Sequence, residues 1–161
     1  MGELDERSIL LVLQEMGAQM REDLPVGEET VRTEDEARLL LAQLVREHGG
    51  RDIDPAAIAG NEPDAEVLAQ RSLGLFAADP ATAPLAQALV QDPPQDEQLV
   101  VETAILAAVV LGSLVTWLQT KVHIKVKRAG GKTSFEFSLD KDAADAETVK
   151  AVAQQVAKLL P

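Results

Sequence analysis

The chain has 161 residues, 46% of them apolar, and a net charge of −12, enough for one ordinary domain or two small ones around a sizeable core. It has no Cys, no Tyr, three Phe and one Trp. Disulfides and thiolate metal sites are therefore excluded, and the core must be built from Leu, Val, Ile and Ala. The acidity argues against nucleic acid as the principal ligand, because phosphate contacts need concentrated positive charge.

That charge is uneven. Residues 1–98 hold 21 Asp and Glu against 7 Arg, whereas residues 99–161 hold 6 against 8 Lys and Arg. The basic residue also changes kind, from arginine only to lysine with Arg128 as the single exception. Such asymmetry predicts two segments of different behaviour.

The first element is a helix over Asp5–Met20. Ile9, Leu13, Met16 and Met20 recur at helical spacing, and Leu10 widens the face. Glu3, Asp5 and Glu6 near its start suit the helix dipole. The leader MGELDERS lacks a basic start and an apolar run, so no signal peptide is read and a cytoplasmic location is expected. Arg21–Val31, with Pro25 and Gly27, reads as a loop. Thr33-Glu34-Asp35-Glu36 has the capping-box pattern, in which the Thr33 hydroxyl takes a free backbone N–H and Glu36 reaches back. The helix that follows puts Ala37, Leu40, Leu41 and Leu44 on one face and stops at Gly49-Gly50.

Asp54-Pro55 predicts a short helix to Ala59. Pro63 opens the next, carrying Val67, Leu68, Leu73 and Phe76, and Asp79-Pro80 ends it. Pro84 starts a short helix with Leu85, Ala88 and Leu89 inward. Asp92-Pro93-Pro94 is the strongest punctuation, since two prolines remove two donors and restrict their predecessors. It divides an acidic helical segment, 1–92, from a second segment, 95–161, and the two are free to form one compact domain.

Gln95, Asp96 and Glu97 form a polar first turn to Leu99–Leu118, twenty residues with a single charge, Glu102. A helix of that length is about 30 Å long, the thickness of a bilayer core. Glu102, Ser113, Thr116 and Thr120 share a narrow stripe, interrupted by Ile105, Leu106 and Val109, and the rest of the circumference is apolar. The small residues Ala104, Ala107, Ala108, Gly112 and Ser113 suit close neighbouring helices, which favours a buried central helix with Ile105, Val109, Leu114, Trp117 and Leu118 among its contacts. The alternative is a membrane-active helix, which Trp117 followed by Lys121, Lys125, Lys127 and Arg128 would suit.

After Thr120 the period changes to two. Val122, Ile124 and Val126 alternate with lysines and His123; Phe135, Phe137 and Leu139 alternate with Ser134, Glu136 and Ser138; Ala129-Gly130-Gly131-Lys132 supplies the turn. This predicts a hairpin whose apolar face covers helices, since two strands are not stable alone. Asp142 or Asp145 then caps a last helix with a Val149, Val152, Val156, Leu159 stripe. The fold class is α+β and mostly α: a helical N-terminal segment around a long apolar helix, then a two-stranded antiparallel hairpin and a C-terminal helix.

No motif carries chemistry. Neither HExxH, GxxxxGK[ST] nor GxGxxG occurs. His48 closes a helix, where an imidazolium suits the dipole. A pair of Ser134 with His123 across the hairpin has no acid or oxyanion loop behind it. No catalytic residue, cofactor or metal site is expected. The candidate partner-binding residues are Lys121, Lys125, Lys127, Arg128 and Lys132. Their bland reading is a solvated sheet face; the functional ones are contact with an acidic protein surface or with anionic lipid heads. Nucleic acid is disfavoured because no aromatic shares that face to stack on a base.

The segment SLVTWLQTKVHIKVKRAGGKTSFEFSLDKDAADAETVKAVAQQVAKLL resembles the effector-associated constant component family of bacterial conflict systems. The shared pattern is an apolar helix ending in Trp-Leu, a lysine-bearing strand, a glycine turn, a second strand ending near an acid, and a terminal helix. The likeness covers about residues 113–160. That family begins with a strand of its own, whereas residues 1–92 here read as helical. The resemblance implies an accessory protein encoded beside a protease-like or other effector, acting by association, and it carries over no catalytic residue. The expected function is thus a non-enzymatic interaction or adaptor module whose partner is another protein, such as an operon-encoded effector or a second copy of itself. A membrane-active protein and an enzyme are the alternatives.

Overall fold

The computed structural model describes residues 5–22, 24, 31, 33–94, 103–138 and 146–160. Its elements are α1 (Glu6–Glu22), α2 (Glu34–His48), a 3-10 turn (Pro55–Ala57), α3 (Glu62–Ala78), α4 (Ala83–Gln91), α5 (Thr103–Lys121), β1 (His123–Ala129), β2 (Lys132–Ser138) and α6 (Ala146–Leu159). The chain is α+β and mostly helical, with one antiparallel hairpin.

The helix starts follow local chemistry. Asp5 accepts the Ser8 N–H at 2.7 Å, and the Thr33 hydroxyl accepts that of Glu36 at 3.1 Å. The carboxylate of Glu36 is gripped by Arg128 through two bonds of 2.9 Å. Asp54 caps the 3-10 turn, which ends at Ala57 rather than Ala59. At α3 the cap is Asn61, which accepts the Asp64 N–H at 3.0 Å, with Pro63 inside the first turn. Gly50 ends α2 at φ 74°, a conformation that glycine adopts without steric cost.

Helix α5 is the centre of the packing, lying against α1, α2 and α3. Leu106, Val110, Leu111, Leu114, Trp117 and Leu118 are each at most 1% exposed. Gly17 of α1 faces Ser113 of α5: a Cβ at Gly17 would stand 3.8 Å from the Ser113 Cα. Ser113 and Thr116 are buried among apolar neighbours because their hydroxyls donate to the Val110 and Gly112 carbonyls of their own helix. One expected contact is corrected: Ile105 is 37% exposed, because the buried stripe in the first half of α5 runs through Leu106, Ala107, Val110 and Leu111. Val109, beside that stripe, is half-buried and packs against the core. As with Ile105, Val67 of α3 is exposed, at 43%, and so is Ala88 of α4. Glu102, Leu139, Asp142, Asp145 and the Gln95-Asp96-Glu97 turn lie outside the described residues, as does most of the 21–31 loop.

Helix α6 packs on α2 and α3 with Val149, Val152, Val156 and Leu159 inward, as their spacing predicts. Gly49 lets α2 end close beside α6: a Cβ there would stand 3.2 Å from the Ala153 carbonyl oxygen. Buried residues from both sides of Asp92-Pro93-Pro94 belong to one apolar cluster. Among the described residues, no helix is long and apolar enough to cross a membrane.

Candidate interaction surface

The hairpin has a two-residue turn, Gly130 at φ 59° and Gly131 at φ 76°, the left-handed pair that matches strand twist. Its register pairs Ile124 with Phe137, Lys125 with Glu136, Val126 with Phe135, Lys127 with Ser134, Arg128 with Thr133 and Ala129 with Lys132. Successive side chains alternate between faces, so the register sorts the hairpin into two. Ile124, Val126 and Phe135 are buried, Phe137 meets the His48 ring edge-on with centroids 6.1 Å apart, and Arg128 and Thr133 share this inner face. Lys125, Lys127, Lys132, Ser134 and Glu136 share the outer face, and all five are exposed.

Helix α2 fixes the inner face through polar contacts that the sequence pattern does not signal. The Gln43 amide donates to the Phe135 carbonyl at 2.6 Å and accepts the Phe135 N–H at 3.1 Å. It occupies the edge of β2 as a strand would, giving partners to groups that point away from β1. One turn from the start of the same helix, Glu36 holds Arg128 and accepts from the Thr133 hydroxyl at 3.4 Å. These contacts clamp the hairpin on α2.

The five candidate cations therefore separate. Lys121 is not on the hairpin. It ends α5, where its ammonium lies 2.7 Å from the Asp79 carboxylate and 5.7 Å from the centre of the Trp117 ring. Asp79 also accepts the Trp117 indole N–H at 2.8 Å, so the end of α3 is tied to the end of α5. Burial pushes the Asp79 carboxyl up, but the Lys121 and Trp117 donors outweigh it and hold the group below the ordinary aspartate value. Arg128 belongs to the inner face. Lys127 bonds Glu136 on the outer face, and this bond holds the Glu136 carboxyl below its ordinary value. Lys125 and Lys132 are exposed and have no ion-pair partner among the described residues. The structure thus brings together Lys125, Lys127 and Lys132, and leaves Lys121 and Arg128 elsewhere.

Catalytic geometry is not assembled at the hairpin. The register sets His123 opposite Ser138 and Ser134 opposite Lys127. Four strand residues, about 13 Å, separate His123 from the Ser134 level. Among the described residues, no three His, Asp or Glu side chains gather as metal ligands. A shallow depression of about 410 Å³ lies between the end of α2 and α6, lined by Gly49, Arg51, Gln154, Ala157 and Lys158. Arg51 is engaged there with the carbonyls of Ala157 and Leu160. A pocket of about 20 Å³ beside Ala59, Arg71 and Leu159 holds no more than water.

No family model matches this chain, and no curated protein or solved structure matches it either.

Proposed function

We propose that this protein is a non-enzymatic interaction module that works by binding another protein, as an accessory of a bacterial defence or signalling system. The observation that carries the reading is the one-sided hairpin. Its inner face is sealed on α2 by Phe135, Gln43 and the Arg128–Glu36 pair, while its outer face of five polar side chains stands exposed. A two-stranded sheet is marginal by itself, and here helices supply its stability, so the outer face is free to serve contact. Exposed charges add little to stability and much to encounter rate and specificity. The pattern over residues 113–160 that resembles conflict-system accessory components supports the choice of an effector encoded nearby as partner.

The test is to mix the purified chain with purified products of the genes encoded beside its own and to measure complex formation by analytical ultracentrifugation. A stoichiometric complex with one of them is expected. Turnover of a substrate by the purified chain alone, with no complex formed, would overturn the reading.

A further inference from the structure

The geometry points to a docking site on the outer hairpin face for an acidic protein segment in extended conformation, read by Lys125, Lys127 and Lys132. This rests on the interaction-module reading and names the partner's chemistry.

The three lysines form a row. Lys125 and Lys127 are two residues apart on β1, and Lys132 lies beside Ala129, two residues further on. At about 3.4 Å per residue, Lys125 and Lys127 stand about 7 Å apart along β1, and Lys132 lies about 7 Å further along and about 5 Å to the side, on β2. An extended chain repeats its side chains on one face at the same interval, so carboxylates at alternate positions match Lys125 and Lys127, and the next falls within reach of the flexible Lys132 stem. Within this row the charge balance is set by Glu136. Its register partner is Lys125, and its bond is to Lys127. A carboxylate among the lysines disfavours polyphosphate and anionic lipid, which present negative charge without a break. It suits a polypeptide, which supplies neutral or donor side chains between its acids. The face holds His123 but no Phe, Tyr or Trp to stack a base.

The row was hidden in the sequence, where five cations stand together without an acid between them. The fold removes Lys121 to the Asp79 contact and Arg128 to Glu36. A variant that reverses Arg128 would disturb the clamp of the hairpin on α2, so it cannot test the surface. Lys125 and Lys132 can be changed without touching a described ion pair.

The experiment uses the full chain and a fluorescein-labelled peptide of alternating Glu and Thr, eight residues long. Controls are a block peptide of the same composition, a thymidine oligonucleotide, and phosphatidylcholine vesicles containing phosphatidylserine. The alternating peptide is expected to bind more tightly than the block peptide, with affinity falling as salt rises. In the K125E/K132E variant, with an unchanged circular dichroism spectrum, binding is expected to weaken about tenfold or more. The milder K125Q/K132Q variant is expected to lie between. Equal binding by wild type and K125E/K132E would overturn the site, and so would tighter lysine-dependent binding of the oligonucleotide or the vesicles. A complex with a neighbour-encoded protein that is indifferent to K125E/K132E would leave the interaction reading standing and overturn this site.

Discussion

Arginine and lysine do different work in the two parts of this chain. In the acidic helical part, three arginines turn inward to backbone carbonyls. Arg38 donates to Ile58 and Ala59 at 2.8 and 3.2 Å, Arg51 to Ala157 and Leu160, and Arg71 to Leu159 at 3.2 Å. Two of these satisfy the last carbonyls around the end of α6, which have no partner within their helix. Arg38 holds the backbone at Ala59, whose φ of 53° lies in the region that L side chains rarely adopt. On the hairpin, Lys125 and Lys132 turn outward. A guanidinium presents several donors in a fixed plane and suits such carbonyl clusters; an ammonium on a flexible stem is a strongly hydrated point charge. Arg128, the one arginine among the lysines, follows the arginine rule: it makes a two-bonded contact with Glu36. Lys121 is the lysine that holds the fold, through Asp79 at the end of α3; on the hairpin itself the arginine turns to α2 and the lysines face solvent.

The contrast between held and exposed positions can be broken most sharply inside α5. Val110→Asp places an unpaired charge where the side chain is fully buried, and urea denaturation is expected to show a loss above about 4 kcal/mol or no folded protein. Val109→Asp, one residue away and half-buried, is expected to lose less than half as much. Equal losses would place the buried stripe wrongly. The two hairpin faces give the next largest difference. Phe135→Ser removes a buried ring and is expected to cost about 3 kcal/mol, against less than about 0.5 for Ser134→Ala on the outer face.

Smaller effects test the arginine side. Arg38→Lys keeps the charge but loses the fork that reaches both carbonyls, and a melt is expected to show about 1–2 kcal/mol lost. Asp79→Asn has a similar size and a pH signature. The folded Asp79 carboxyl lies below its ordinary value, so its contribution is present above the unfolded value of about 3.9 and fades as pH falls through the folded one. Wild type and Asp79→Asn are therefore expected to differ at pH 7 and to converge in acid. A constant difference down to pH 2 would show that the carboxylate charge is not what ties α3 to α5.

Much of the fold was legible because it depends on local chemistry. The Thr33 cap, the Asp79-Pro80 break, the glycine turn and the alternation on both strands are each written within a few residues. The face of α5 was not legible: its apolar residues go nearly all the way round, so periodicity alone could not say that Val110, and not Val109, is inward. The same is true of the candidate surface. Alternation showed which lysines share a face of β1. That Lys121 would meet Asp79, 42 residues away in sequence, and that Arg128 would meet Glu36, 92 residues away, depends on tertiary packing. Gln43 gave no sign of its place on the edge of β2, because a glutamine in a helix is ordinary on any exposed face.

Arg38, Arg51, Arg71 and Arg128 hold the fold, while Lys125 and Lys132 are spare for contact. The most direct test is the urea midpoint of K125Q/K132Q beside that of Arg38→Lys and wild type. The lysine variant is expected to unfold within about 0.5 kcal/mol of wild type while Arg38→Lys falls clearly below it. A loss of about 2 kcal/mol or more in K125Q/K132Q would instead make the outer lysines part of the scaffold.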